Sequence, residues 1–157
     1  MAAIVGEATA GITRYLLVEE HTPEGLRLNN PAGHLEPGES PIEAVVRETL
    51  EETGRAFTPE HLVGVYLSRL HRPASGEDVT YLRLAVAGRV DAADPARALD
   101  AGIVRTLWMT LDEIRASSER HRSPLLLRCI EDAAGGRRFP LAALVTDPSV
   151  YAQEIRR

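Results

Sequence analysis

The chain has almost no cysteine. Cys129 is the only one in 157 residues, which excludes an internal disulfide and any cysteine-based zinc cluster. Long apolar runs are missing too: no stretch approaches the roughly eighteen residues that a membrane-spanning helix needs. The opening segment, MAAIVGEATAGITRYLLVEE, has neither the basic start nor the apolar block of a secretion signal. Together these absences predict a cytoplasmic protein without membrane contact. Positive charge is also scarce. Eighteen basic side chains against twenty-three acidic ones leave a net charge of −5, which argues against broad nucleic-acid binding, since that requires a cationic surface. A small anionic ligand remains compatible if arginines or a metal ion offset the carboxylates locally. No repeat, low-complexity tract or long linker divides the sequence. Residues 1–157 therefore read as one domain, long enough to bury a proper core.

What is present organises into strands and helices. RYLLVEE (14–20) is rich in β-formers and closes on the turn signal HTPEG. The preceding IVGEATAGIT is a weaker strand because of its glycines and alanines, and LRLNNPAGHLE reads as a short strand entering a loop. HLVGVYLSRLHR and VTYLRLAVAGRV are two strands joined by PASGED. DAADPARALDAG is a loop, IVRTLWM a further strand, LDEIRASSE a helix, and SPLLLRCIEDAA a last helix ending at Gly135-Gly136. Helices interleaved with hairpin-connected strands predict an α/β fold, a mixed sheet between helices.

The strongest helix spans Ser40 to Gly54. Ser40 caps it, Pro41 suits the first helical position, and Glu43 completes a capping box. Gly54 suits the left-handed residue past the end. Ile42, Val45, Val46, Thr49 and Thr53 share one face, which should pack on the sheet. Opposite them, Glu48, Glu51 and Glu52 occupy an arc about 100° wide, an acidic stripe expected to be exposed. Like charges at that spacing weaken a helix. Either the stripe is simply solvated, or it holds a cation. Three converging carboxylates suit Mg²⁺ or Mn²⁺, which take hard oxygen ligands. Arg47 is placed to pair with Glu39 or Glu43, or to orient a carboxylate.

The residues decide between these readings through their spacing. Gly33, Glu39, Arg47, Glu48, Glu51, Glu52 and Gly54 fall in register with the Nudix box, G-x5-E-x7-R-E-U-x-E-E-x-G-U, where U is usually aliphatic. At roughly 7% per required residue, seven chance matches have a probability of about 10⁻⁸ per starting position. The chain therefore resembles the Nudix hydrolases. Thr49 is a tolerated variant at the first U position. Arg55 departs from the pattern at the last one, which should alter packing after the helix rather than the metal site.

The resemblance implies an α/β/α sandwich that hydrolyses diphosphates linked to another group, using a divalent metal. It implies that the Gly33 carbonyl, Glu48, Glu51 and Glu52 bind Mg²⁺ (Mn²⁺ being possible). Glu52 or Glu48 would also deprotonate the attacking water, and Glu39 and Arg47 would tie loop to helix by a salt bridge. Outside the box, NNPAGHLEPGES, LDAGIVRTLWMTLDEI and RSPLLLRCIEDAAGGRRFPL are similar to a bacterial phosphatase branch of the family. That branch acts on nucleoside tri- and diphosphates and on thiamine-type pyrophosphates, releasing orthophosphate. The expected partner is then a nucleotide or pyrimidine diphosphate, bound by a monomer or homodimer.

Other candidates are set beside plainer readings. His34 could touch a phosphate or pack the loop. Arg27 could grip phosphate oxygens bidentately or lie on the surface. Arg122 could close over the ligand, or serve as a salt bridge or cap. Asp100 is the best downstream carboxylate to complete a metal shell. Trp108 and Tyr81 are read as core aromatics, and Cys129 as a buried apolar-face residue. The competing functions are another Nudix pyrophosphatase, either a mutator-type nucleotide-pool cleaner or an ADP-ribose pyrophosphatase, and a non-catalytic nucleotide-sensing domain.

Overall fold

Runs of β-branched and aliphatic residues form six strands in the computed structural model, which describes residues 1–72 and 76–152. They are β1 (Ala2–Thr9), β2 (Ile12–Thr22), β3 (Gly25–Asn29), β4 (Phe57–Arg72), β5 (Glu77–Val90) and β6 (Ile103–Thr110). Helices α1 (Pro41–Thr53), α2 (Leu111–Ala116) and α3 (Leu125–Ala134) accompany them. The expected PASGED turn lies partly outside the described residues, at 73–75.

β1 joins the sheet into one. Its first half, Ala2–Val5, runs parallel to Ala85–Gly88 of β5, and its second half, Gly6–Thr9, pairs antiparallel with β2. β3 and β6 pair antiparallel with β2, and β4 forms a long antiparallel hairpin with β5. The sheet is therefore mixed, in the order β3-β2-β1-β5-β4 with β6 also on β2. The segment IVGEATAGIT, read as one weak strand, is instead divided: its first six residues end β1, Ala10 and Gly11 turn the chain, and Ile12 and Thr13 open β2. Ala2 and Ala3 are wholly buried, and Ala10 (φ 51°) and Gly11 (φ 79°) supply the two positive φ angles of a tight hairpin turn into β2.

Side chains of alternate strand positions fill two cores, as the period of a β-strand requires. On one face Ala3, Val5, Leu16, Phe57, Leu62 and Val86 meet Val45 of α1. On the other, Ile4, Leu17, Leu28, Val63, Tyr66 and Ala85 meet Ile114 of α2 and Leu126, Cys129 and Ile130 of α3. Helices thus cover both faces, an α/β/α sandwich. Cys129 is buried as expected and Trp108 packs against the α1 side. Tyr81 is a correction: it is 39% exposed, near the hairpin tip where Leu67 and Leu82 are exposed as well. The hairpin outruns the buried stretch of the sheet there. α2 is also shorter than expected, ending at Ala116 before a 3-10 turn at Ser118–Arg120. No helix among the described residues is long and apolar enough to cross a membrane.

α1 has the ends that its sequence specifies. The Ser40 hydroxyl accepts from the Glu43 N–H at 3.2 Å, and the Glu43 carboxylate accepts from the Ser40 N–H at 2.7 Å. Gly54 adopts φ 65° and donates to the Leu50 carbonyl. On the buried face the Thr49 and Thr53 hydroxyls donate to Val45 and Thr49 carbonyls at 2.7 and 2.6 Å, so no polar group is stranded there.

Candidate active site

The second half of α1 turns its carboxylates toward the loop that follows β3. The expected exposed stripe is a correction: Glu48 and Glu52 are only 8% and 9% exposed, and Glu51 is half-buried. The loop covers them. A Cβ at Gly33 would lie 2.0 Å from the Glu48 carboxylate, so only glycine lets this backbone lie against that side chain. The adjacent Ala32 N–H donates to Glu52 Oε2 at 2.8 Å.

Arg47 binds helix and loop together through its whole fork. It donates to both Glu39 oxygens at 3.0 and 2.7 Å, a bidentate pair. It also reaches the His34 carbonyl at 3.1 Å. Its remaining nitrogen donates to Glu48 Oε1 and Glu51 Oε2, each at 2.9 Å. This guanidinium holds the Glu39 carboxyl below the usual carboxylate range. Arg47 and Glu39 are brought together as the sequence predicts. Arg55, the residue that departs from the motif, stacks its guanidinium 5.7 Å from the Trp108 ring and donates to the Asp91 carbonyl, away from the carboxylates.

Glu52 is the electrostatic centre of the site. Burial, opposed by the Ala32 N–H, and repulsion from Glu20, Glu48 and Asp100 push its carboxyl up to about 8. A carboxyl so placed calls for a proton or a cation. The Gly33 carbonyl already accepts a cation: the Met1 ammonium donates to it at 2.5 Å. Among the described residues no three His, Cys, Asp or Glu side chains converge to hold an ion as they stand, and Arg47 engages Glu48 and Glu51. The donor set nevertheless fits a hard divalent cation. It offers one carbonyl and three carboxylates, all oxygen, on a cradle that admits no side chain at Gly33.

The remaining candidates divide. Asp100 is exposed, and its N–H donates to the Glu51 carbonyl at 3.0 Å, so it caps the end of α1 close to Glu52. His34 contributes its carbonyl to Arg47 while its side chain faces solvent. Arg27 stands opposite Glu20 on the neighbouring strand, with its guanidinium making only a long 3.5 Å contact to the Leu26 carbonyl among the described residues. Arg122 is ion-paired with Glu20, and its N–H donates to the Leu28 carbonyl. Sequence reasoning overlooked Glu20. It is 7% exposed, it faces Glu52, and its Oε1 has no hydrogen-bond partner among the described residues. The signal was the pair Glu19-Glu20 ending an apolar strand whose faces are both covered.

Comparison with known proteins places this geometry. The NUDIX domain model matches residues 2–129. The chain is 34% identical over 128 residues to Phosphatase NudJ of Escherichia coli K12, covering 82% of this chain and 80% of that protein. A NUDIX hydrolase from Nitrosomonas europaea superposes with a TM-score of 0.81 at 49% identity, covering 93% of this chain and 94% of that one. An Ap4A hydrolase from C. elegans has a TM-score of 0.53 at 22% identity over 86% of this chain and 96% of its own, which is a likeness of fold alone. A capped helix carrying buried paired glutamates, a glycine cradle against one of them, and a match over most of the length lead to one conclusion: the chain belongs to the Nudix family and is a hydrolase of phosphoanhydrides.

Proposed function

We propose that the protein is a magnesium-dependent phosphatase of nucleoside tri- and diphosphates and of thiamine-type pyrophosphates, releasing orthophosphate. The observation that carries this reading is the buried Glu48–Glu52 pair packed against the Gly33 loop. Its likeness to Phosphatase NudJ supports the phosphatase reading.

The Gly33 carbonyl, Glu48, Glu51 and Glu52 would hold Mg²⁺, or Mn²⁺, with Asp100 extending the shell. Bound there, the ion supplies charge neutralisation of phosphate oxygens and activation of water. The chain's own residues do the rest. Glu52 or Glu48 takes the proton from the attacking water, and a carboxyl titrating near the working pH suits that task. Glu39 and Arg47 keep the loop carbonyl and the helix carboxylates in one arrangement. Arg27, His34 and Arg122 are the sequence candidates for contacting the phosphates. Of these, Arg122 brings Glu20 as a counter-charge.

A hydrolysis panel tests this. It contains GTP, GDP, ATP, thiamine diphosphate, hydroxymethylpyrimidine diphosphate, ADP-ribose and a dinucleoside polyphosphate, with orthophosphate and pyrophosphate scored separately. The expected result is magnesium-dependent orthophosphate release from the nucleotides and pyrimidine diphosphates. Glu52→Gln should lower kcat by about 10²–10⁴-fold, the range for removing a general base. Pyrophosphate release, or cleavage of ADP-ribose or dinucleotides alone, would move the protein to another branch of the family. Absence of turnover on every substrate would favour a nucleotide-sensing domain.

A further inference from the structure

Arg83 of β5 sits where the sheet has a gap. Ala2 pairs with Ala85, so Arg83 lies just beyond the start of β1. It is half-buried. Its fork donates to Asn30 Oδ1 at 3.3 Å and to Asn29 Oδ1 at 3.4 Å, and the Cys129 sulfur is its third partner. Burial pushes the Cys129 thiol up to about 11, so that partner is neutral as well.

This is an unusual way to house a guanidinium. Four arginines around the site and its supporting strands end on carboxylates instead: Arg47 on Glu39, Arg105 and Arg120 on Glu19, Arg122 on Glu20. Among the described residues no carboxylate pairs with Arg83. A guanidinium remains protonated even when burial lowers its pKa, as it does here. A desolvated charge that donates two long hydrogen bonds to neutral amide oxygens and otherwise meets a neutral thiol is poorly compensated. Asn30 repeats the theme, being 1% exposed with its amide nitrogen unpartnered among the described residues.

The location gives the surplus charge a use. Asn29 and Asn30 run directly into Ala32, which holds Glu52, and Gly33, which lies on Glu48. Gly33 is three positions on from Asn30, a span of at most about 11 Å. Glu20 feels Arg83 and Glu52 alike, and the Met1 amine feels both Arg83 and Glu48. Arg83 thus borders the carboxylate site from the side facing α3.

We infer that Arg83 is a substrate-recognition residue whose uncompensated guanidinium receives phosphate oxygens of the diphosphate, with Asn29 and Asn30 positioning its fork without neutralising it. This rests on the phosphoanhydride reading above. A carboxylate partner would fill the fork and cancel the field, whereas two amide oxygens orient it and leave its charge for an anion.

Methylenediphosphonate, a diphosphate mimic that cannot be hydrolysed, separates the possibilities by calorimetry with magnesium present. Arg83→Met should weaken its binding on the order of 10–100-fold, with the near-UV circular dichroism retained. Arg83→Lys should fall between, keeping the charge but losing the fork. Asn29→Asp keeps the arginine and supplies the missing carboxylate. It should weaken binding about tenfold while the Tm stays level or rises. If Arg83→Met does not fold, Asn29→Asp alone decides. Affinity within about twofold of the wild type in whichever of these two variants folds would overturn the role of Arg83 and leave the hydrolase reading intact. A wild-type protein that fails to bind the diphosphonate at all would overturn both.

Discussion

At the scale of single residues, Glu52 determines how the metal-free protein responds to pH. Its folded pKa, about 8, lies above the roughly 4.3 of an unfolded glutamate. The folded state therefore binds the proton more tightly, and this contribution to stability is complete below about pH 4.3. It is lost as pH rises toward 8. Calorimetric melting in EDTA should show Tm falling between pH 5.5 and 8.5, with Glu52→Gln flattening that slope. At pH 8.5 the substitution should raise stability on the order of 1–3 kcal/mol by removing a buried unpaired charge. Equal slopes in the two proteins would exclude Glu52 as the source. Gly33→Ala acts on the same site differently. Its methyl group would occupy the space of the Glu48 carboxylate, so magnesium-dependent turnover should drop at least tenfold while far-UV circular dichroism is unchanged. The identities of Gly33, Glu39, Arg47 and the three glutamates were legible in the sequence because a fixed spacing carries them. Their burial was not, since it depends on a loop folding back over the helix. Arg83 was illegible for the same reason, and Glu20 was marked only by its place at the end of an apolar strand: each gains its meaning from neighbours far along the chain.

At the scale of the element, α1 is a helix whose both ends are written locally. Ser40→Ala removes one hydrogen bond of the capping box and should cost about 1 kcal/mol. Gly54→Ala forces a side chain into the left-handed region and should cost about 1–2 kcal/mol. Urea denaturation measures both, and the folded fraction of each variant should keep its activity, as neither residue touches the carboxylates. Such ends are readable because cap and capped group lie three or four residues apart. β1 was the opposite case. Its alanines and glycine look indifferent in isolation, and only the covering of Ala2 and Ala3 on both faces reveals why small side chains stand there. Likewise, nothing local in β5 distinguishes the buried Ala85 from the exposed Tyr81.

At the scale of the whole molecule, charge is organised by type as well as by sign. All eighteen basic side chains are arginine, and lysine is absent. Planar forks suit bidentate pairing, and the carboxylates of Glu19, Glu20 and Glu39 are all held by arginines. With a net charge of −5 and buried glutamates at its centre, the protein should be markedly stabilised by its cation. A ligand at one hundred times its Kd contributes about 2.7 kcal/mol. Magnesium should therefore raise the Tm of the wild type at pH 8 and leave that of Glu52→Gln nearly unmoved, as thermal shift would record.

The parallel pairing of Ala2–Val5 with Ala85–Gly88 also sets an order of events. The first residues must wait for partners more than eighty positions away, because the entropy of closing so long a loop is paid before its contacts form. The Gly33 loop inherits that delay: the Ala3 N–H donates to the Pro31 carbonyl and the Gly33 N–H to the Met1 carbonyl, so the loop cannot settle until β1 has docked. Docking of this segment should follow the rate-limiting step of folding. Val5→Ala, which trims a side chain 1% exposed, would then accelerate unfolding and barely change the folding rate in stopped-flow measurements. The catalytic loop of a newly made chain would be the last part to mature.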